Sequence, residues 1–257
     1  MSKINVNTWE PESSTALTMG ASGDTTTVPS GASLVVASGA TINITGATQT
    51  GFPSAGFIGY TVYTGNATWL KSTNTPTKVV VELVGGGGSS GSGRSDAHYG
   101  GSGGSAGYVR KYIDVSSLTS ATVVVGAGGV MNAGTSAGNS SWTDDLTTNT
   151  LVGGAGGNGA NAAPSTHGVG GAGGTATGGD LNMPGEGGAV GNDPGMMRIA
   201  SSALSSSGAG FSRLNPSYGV AEVGPAYGGG ASAGKANAAT IDGAAGGVGV
   251  VIVWEYA

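Results

Sequence analysis

The sequence predicts an all-β chain joined to polyglycine-II, with essentially no α-helix. Three observations predict it. Of 257 residues, 54 are glycine, and many of these fall three apart. Runs of β-branched and aromatic residues flank the glycine-rich stretch on both sides. No series of good helix formers escapes glycine for long, and glycine costs about 1 kcal/mol per residue in a helix interior.

Residues 1–50 carry a short repeat. Ser30-Gly31 and Ser38-Gly39 are eight apart, as are Leu34 and Ile42, and Val36 and Ile44. Each unit offers a turn followed by a strand with apolar residues at alternate positions. Such a unit cannot cover its own apolar face, so it stacks on copies of itself or on other chains. The prediction is a β-rich stalk completed by oligomerisation, most simply a homotrimer.

Residues 51–84 read as a β collar. Strands are predicted at 57–63, 67–70 after the Gly65-Asn66 turn, and 78–84. Further strands are predicted at 108–115, 121–125 and 248–256, with a short one at 150–152. A composition break at Gly85 marks the start of a third region, 85–257, closed by the last strand. Up to Val84 there are 9 glycines; from Gly85 to Gly247 there are 44.

Within that region the glycines form rows of period three: Gly85, Gly88 and Gly91; Gly101, Gly104 and Gly107; Gly153, Gly156 and Gly159; Gly168, Gly171 and Gly174. Period three belongs to the extended helix with about 3.1 Å rise per residue and no internal hydrogen bonds. Its N–H and C=O groups point outward, and bare glycine faces let neighbours approach and pair backbone with backbone. Collagen is excluded, because its glycine repeat is uninterrupted and its proline abundant, whereas these rows are short and the chain has nine prolines.

Composition excludes several function classes. Net charge is −5 with nine basic residues, which argues against nucleic acid or an anionic membrane as partner. The longest apolar run, Val248 to Trp254, is far short of the roughly 20 residues that span a bilayer. Residues 1–13 lack a basic-then-apolar leader, so synthesis and folding in a cytosol are expected. Cysteine is absent, which removes disulfides, thiolate metal sites and a cysteine nucleophile.

Motifs for catalysis or cofactors fail on context. Gly154–Gly159 matches GxGxxG, but a dinucleotide fingerprint needs a helix opening inside it, and Ala160-Asn161-Ala162-Ala163-Pro164 is short and broken by proline. Gly229 to Lys235 resembles a phosphate loop, yet Ala236 stands where Ser or Thr would hold magnesium. The two histidines, His98 and His167, sit in glycine-rich surroundings without the carboxylate and serine of a triad. Asp96 with His98 is the one conceivable metal pair. The reading is therefore non-enzymatic, with no cofactor and no metal.

The informative residues are the insertions between glycine rows, because function concentrates on loops held by a rigid scaffold. They supply the candidate contact residues Arg94, His98 and Tyr99; Trp142 and Asp144; Met196, Met197 and Arg198; and Tyr218. Aromatic, Arg and Met side chains are typical of contact surfaces. The alternative stays open that Trp142, Met196 and Tyr218 cap the lattice and touch no ligand.

The order of blocks carries a resemblance. Val79–Val84 runs into Gly85–Gly88; Gly107-Tyr108-Val109 opens a strand; Val124-Val125-Gly126-Ala127-Gly128-Gly129 follows; GGAGG stands at 153–157 and 170–174; Gly249–Tyr256 closes the chain. Over roughly 57–257 this resembles the glycine-rich domain of bacteriophage tail-fibre proteins, and it is similar in architecture to the adhesin tips of T-even-like phages. The resemblance implies a virion protein assembled in the host cytoplasm, whose polyglycine-II loops bind a bacterial outer-membrane protein or surface glycan. It also implies an N-terminal attachment to a phage tail or capsid protein, for which Val6 and Trp9 within Ile4–Trp9 are candidates. The family supplies no fixed contact residue to transfer, and residues 1–50 depart from those tips. The alternative function is a structural, decorative or matrix protein without a specific receptor, which would present a flat, repetitive face.

Overall fold

In a computed structural model the described residues are 56–71, 75–94, 98–131, 135–190, 200–205, 221–234 and 240–257. They belong to one compact unit, Pro53–Ala257. The predicted stalk, 1–50, lies outside the described residues, as do Val6 and Trp9.

Ten strands form in chain order: β1 (Phe57–Tyr63), β2 (Ala67–Leu70), β3 (Lys78–Val84), β4 (Tyr108–Asp114), β5 (Ser120–Val124), β6 (Ser140–Asp144), β7 (Thr150–Gly153), β8 (Ala176–Thr177), β9 (Leu181–Met183) and β10 (Val250–Tyr256). No α-helix occurs among the described residues. The strands make two antiparallel sheets, β1-β10-β3-β4-β9 and β2-β5-β6-β7-β8. The all-β reading therefore holds.

The sheets pack on each other through alternate residues. Val79, Val81 and Leu83 of β3 face inward with Val251 and Val253 of β10. From the other sheet Trp69, Val123, Trp142 and Leu151 meet them. The Trp69 and Trp142 rings lie 5.3 Å apart at 49°. Trp69 Nε1 donates to Glu255 Oε1 at 2.7 Å.

Two sequence readings are corrected here. The segment 51–84 is not a separate collar. Its strands are dealt to both sheets, and β3 pairs with β10 along its whole length from Val84↔Val250 to Lys78↔Tyr256. The insertion containing Trp142 is not a loop but an interior strand, β6. Its inward residues are Ser140, Trp142 and Asp144, so two polar positions conceal the alternation. Ser140 is tolerated because its Oγ donates to Val84 O at 2.6 Å and accepts from Gly126 N–H at 3.0 Å.

Past the sheets, the strands continue as extended glycine-rich segments whose hydrogen bonds recur every third residue. Gly85, Gly88 and Gly91 donate to Gly107, Gly104 and Gly101. Gly101, Gly104 and Gly107 donate in turn to Ala160, Gly157 and Gly154. Ser102 and Ser105 donate to Ala189 and Glu186, while Gly103 and Ala106 donate to Ala231 and Gly228. Segment 99–107 thus has a different neighbour on each of three faces, which is the signature of three residues per turn. Its carbonyls serve a further, parallel neighbour: Gly168, Gly171 and Gly174 donate to Tyr99, Ser102 and Ser105.

Glycine is needed here for space rather than for positive φ. Among the described glycines only Gly178 and Gly228 have φ in the left-handed region. A Cβ on Gly88 or Gly171 would overlap the Gly157 carbonyl, and one on Gly104 would overlap that of Ala172. Where serine enters the lattice its hydroxyl is used. Ser90 Oγ accepts from Ala244 N–H, and Ser105 Oγ from Glu186 N–H, both at 2.8 Å.

Gly104→Ala is expected to cost about 1–3 kcal/mol of unfolding free energy, the scale of overpacking a close-packed site. Gly59→Ala, where a Cβ meets nothing within 4 Å, is expected to be neutral or slightly stabilising. Chemical denaturation of both variants checks this; equal losses would remove steric exclusion as the cause.

Candidate functional site

The lattice places certain loops together at the end farthest from the sheets. Segment 85–93 leaves β3 and 99–107 returns to β4, so Arg94 and His98 mark the ends of the two arms and form a first tip. Segment 154–162 leaves β7, and 168–175 returns to β8, so 163–167 is a second tip. At about 3.1 Å per residue, eight steps carry each tip about 25 Å beyond its sheet. The two outgoing arms run parallel, with Gly156, Gly159 and Ala162 donating to Gly86, Ser89 and Ser92. A third arm, 241–249, leads into β10 and begins at the same level, where Ile241 bridges Gly93.

The tips are joined through the chain's two histidines. The His98 and His167 rings lie 5.0 Å apart. Tyr99 N–H donates to His167 Nδ1 at 3.1 Å, and the Tyr99 ring sits 5.3 Å from His167. Because Nδ1 is an acceptor there, neutral His167 carries its proton on Nε2. Arg94 N–H donates to His98 O at 2.9 Å, which closes the first tip. Ala163 and Thr166 exchange N–H···O bonds at 3.1 Å, which closes the second, with Ser165 at φ 66°.

Down the flank of the lattice lies an open cavity of about 400 Å³ between Ser89, Ser90, Val130 and 158–161. Asn158 and Asn161, three apart, accept from Ser89 N–H at 3.0 Å and Ser92 N–H at 2.8 Å. They stand in for a missing backbone neighbour on that face.

Of the sequence candidates, Arg94 and His98 are half-buried at the tip. Tyr99 is only 5% exposed and packs against His167, so it helps to position the tip. Trp142 is fully buried between the sheets and is removed from the contact set; its Nε1 has no hydrogen-bond partner among the described residues. Asp144 is also removed, because at 2% exposure it caps the β6–β7 turn. Its carboxylate accepts from Thr148 N–H at 2.8 Å, Asn149 N–H at 2.9 Å and Asn149 Nδ2 at 2.8 Å. Met196, Met197, Arg198 and Tyr218 lie outside the described residues, as does Asp96. No cluster of three or more metal-ligating side chains occurs among the described residues.

The sequence analysis missed the pairing of His167 with His98. The signal was present: rows 85–91 and 101–107, and rows 153–159 and 168–174, are two hairpins with arms of similar length. Arms of similar length that start from facing strands of the two sheets bring their turns to one level.

A lattice of backbone-paired glycine segments, seeded by a two-sheet sandwich and ending in short loops, defines a glycine-rich scaffold. The chain belongs to the glycine-rich domain family, which matches residues 61–256. No curated protein matches the sequence.

Beside Asp144, Asp145 accepts from the Thr119 hydroxyl, Thr119 N–H and Ser120 N–H. These bonds, led by the hydroxyl, hold its carboxyl below the ordinary 3.8. A carboxylate depressed in the folded state stabilises fully above its unfolded pKa and loses that contribution as pH falls through the folded value. The Tm gap between wild type and Asp145→Asn is therefore expected to be constant above about pH 5 and to narrow below about pH 3.8. Parallel Tm–pH profiles down to pH 2 would contradict it. Asp144→Ala is expected to lose about 2 kcal/mol, since it strands three donors at a buried turn, in urea titration at neutral pH.

Proposed function

We propose that this protein is a non-catalytic bacteriophage fibre adhesin. In this reading residues 1–50 assemble three chains and attach them to the tail or capsid. The glycine lattice then holds its tips toward a bacterial outer-membrane protein or surface glycan. The observation that carries the proposal is the convergence of Arg94 and His98 with 163–167, about 25 Å beyond the sandwich, on a lattice whose segments pair backbone with backbone at every third residue. A rigid post presenting clustered side chains lowers the ordering cost of binding. Three linked copies multiply a weak contact through effective concentration.

One observation favours the structural alternative. On the outer face of the second sheet Thr68, Thr122, Thr143 and Thr150 stand in register across four strands. That face is uncharged and hydroxyl-rich, as a repetitive packing surface would be.

Binding of the full-length protein to intact cells of candidate host bacteria separates the two. Saturable binding is expected, reduced at least about tenfold (1.4 kcal/mol) by His167→Ala combined with Arg94→Ala, with unchanged circular dichroism. Saturable binding insensitive to the tip but lost in Thr122→Lys/Thr143→Lys assigns contact to the threonine face. No binding to any host favours the structural role.

A further inference from the structure

The outer face of the first sheet carries an aromatic surface that neither the core nor the tips use. Phe57 and Tyr60 of β1 are 57% and 61% exposed, and Tyr112 of β4 is 49% exposed. Trp254 and Tyr256 of β10 lie between them. The Tyr60 and Trp254 rings are 5.1 Å apart, and Phe57 is 6.2 Å from Trp254 and 5.9 Å from Tyr256. The rings are held by the strand register, in which Tyr60 opposes Trp254 and Phe57 opposes Tyr256.

A polar hub fixes the face from one side. Glu82 accepts from Trp254 Nε1 at 3.3 Å and from the Tyr108 hydroxyl at 3.1 Å, and it pairs with Arg110 at 3.4 Å. Burial and the Glu82 charge push the Tyr108 hydroxyl up to about 12, so it remains a donor at every physiological pH. The ring positions are thus preorganised.

We propose that this aromatic face docks on a second copy of the same chain. Three arguments select that occupant. The first is area. At roughly 150–250 Å² per aromatic side chain, the exposed parts of the five rings with Val62 come to about 500 Å². That is near the top of the range a monomer leaves in water, and rim residues extend it toward the roughly 800 Å² per partner of a stable interface. The second is charge. The rim presents both signs, Lys78 and Arg110 against Asp114 and Glu82, paired across β3 and β4, so it carries no net charge to repel a like copy. The third is chain order. Residues 1–50, read from sequence as a self-associating repeat, precede Phe57 by a few residues. Copies tethered there are held at an effective concentration of about millimolar.

The chain has no cysteine, so a single introduced thiol reports on this face alone. Tyr60→Cys and, separately, Tyr112→Cys are made in the full-length protein, with Thr122→Cys on the other sheet as the exposed reference. Maleimide labelling is followed while light scattering gives the native mass. The expected result is an oligomer in which both face thiols react at least about tenfold slower than the reference. Their protection is expected to disappear when dilution or sub-denaturing urea brings the mass to one chain. Equal labelling rates in the oligomer, or a monomer with fast labelling at high concentration, would overturn the proposal. Protection that persists in the monomer would also overturn it and assign the cover to the chain's own N-terminal residues. The outcome is independent of receptor binding, since none of these positions lies at the tips.

Discussion

The whole structure depends on one steric condition: a carbonyl oxygen of one glycine-rich segment sits where the β-carbon of its neighbour would be. At Gly88, Gly101, Gly104 and Gly171 the intruding atom is backbone, which cannot rotate away as a side chain could. Any other residue would push the segments apart and break the N–H···O bonds that recur at every third position. Cohesion therefore comes from hydrogen bonds between backbones, not from apolar area. Fixing a glycine costs up to about 1 kcal/mol more than fixing alanine, so an isolated segment would not hold. Only a lattice in which each segment satisfies several neighbours offsets that cost.

The sandwich supplies what the lattice lacks. Its core of valines, leucines and two tryptophans is an ordinary apolar one, and its strands run directly into the glycine arms. Each arm starts in a register fixed by a paired strand, so the period-three contacts need not find their phase. The two halves answer temperature differently. Unfolding the sandwich exposes apolar side chains and raises the heat capacity, whereas unfolding the lattice exposes mainly peptide groups, which lower it. The chain as a whole should then have a flatter stability curve than a sandwich core of equal length.

Much of this was legible in the sequence. Alternating β-branched runs located β1 to β5 and β10 within a residue or two, a short strand was read at β7, and spacing of three gave the lattice. β6 was not legible, because Ser140 and Asp144 occupy inward positions and look like loop residues. Their burial is intelligible only once Val84 O, Gly126 N–H and the β6–β7 turn are seen to satisfy them. β8 and β9 are too short for any period to show. At the tips, Arg94 and His98 were found because they interrupt glycine rows. His167 was passed over because one histidine in a loop has no meaning until its partner, 69 residues away, is placed beside it. Trp142 and Asp144 were misassigned for the opposite reason: residue types common on contact surfaces serve equally well in a core and a turn.

The three-residue repeat also sets the way in which such a molecule can change length. Each arm of a tip hairpin returns to the same face only after a whole turn, about 9 Å of rise. Three residues added to both arms of the 85–107 hairpin would lift its tip by one such step and leave the glycines already present in phase with their neighbours' carbonyls. One or two residues would instead rotate the glycine face away and set side chains into backbone. Reach in this architecture is thus quantised, and a lineage can adjust it only in steps of one turn.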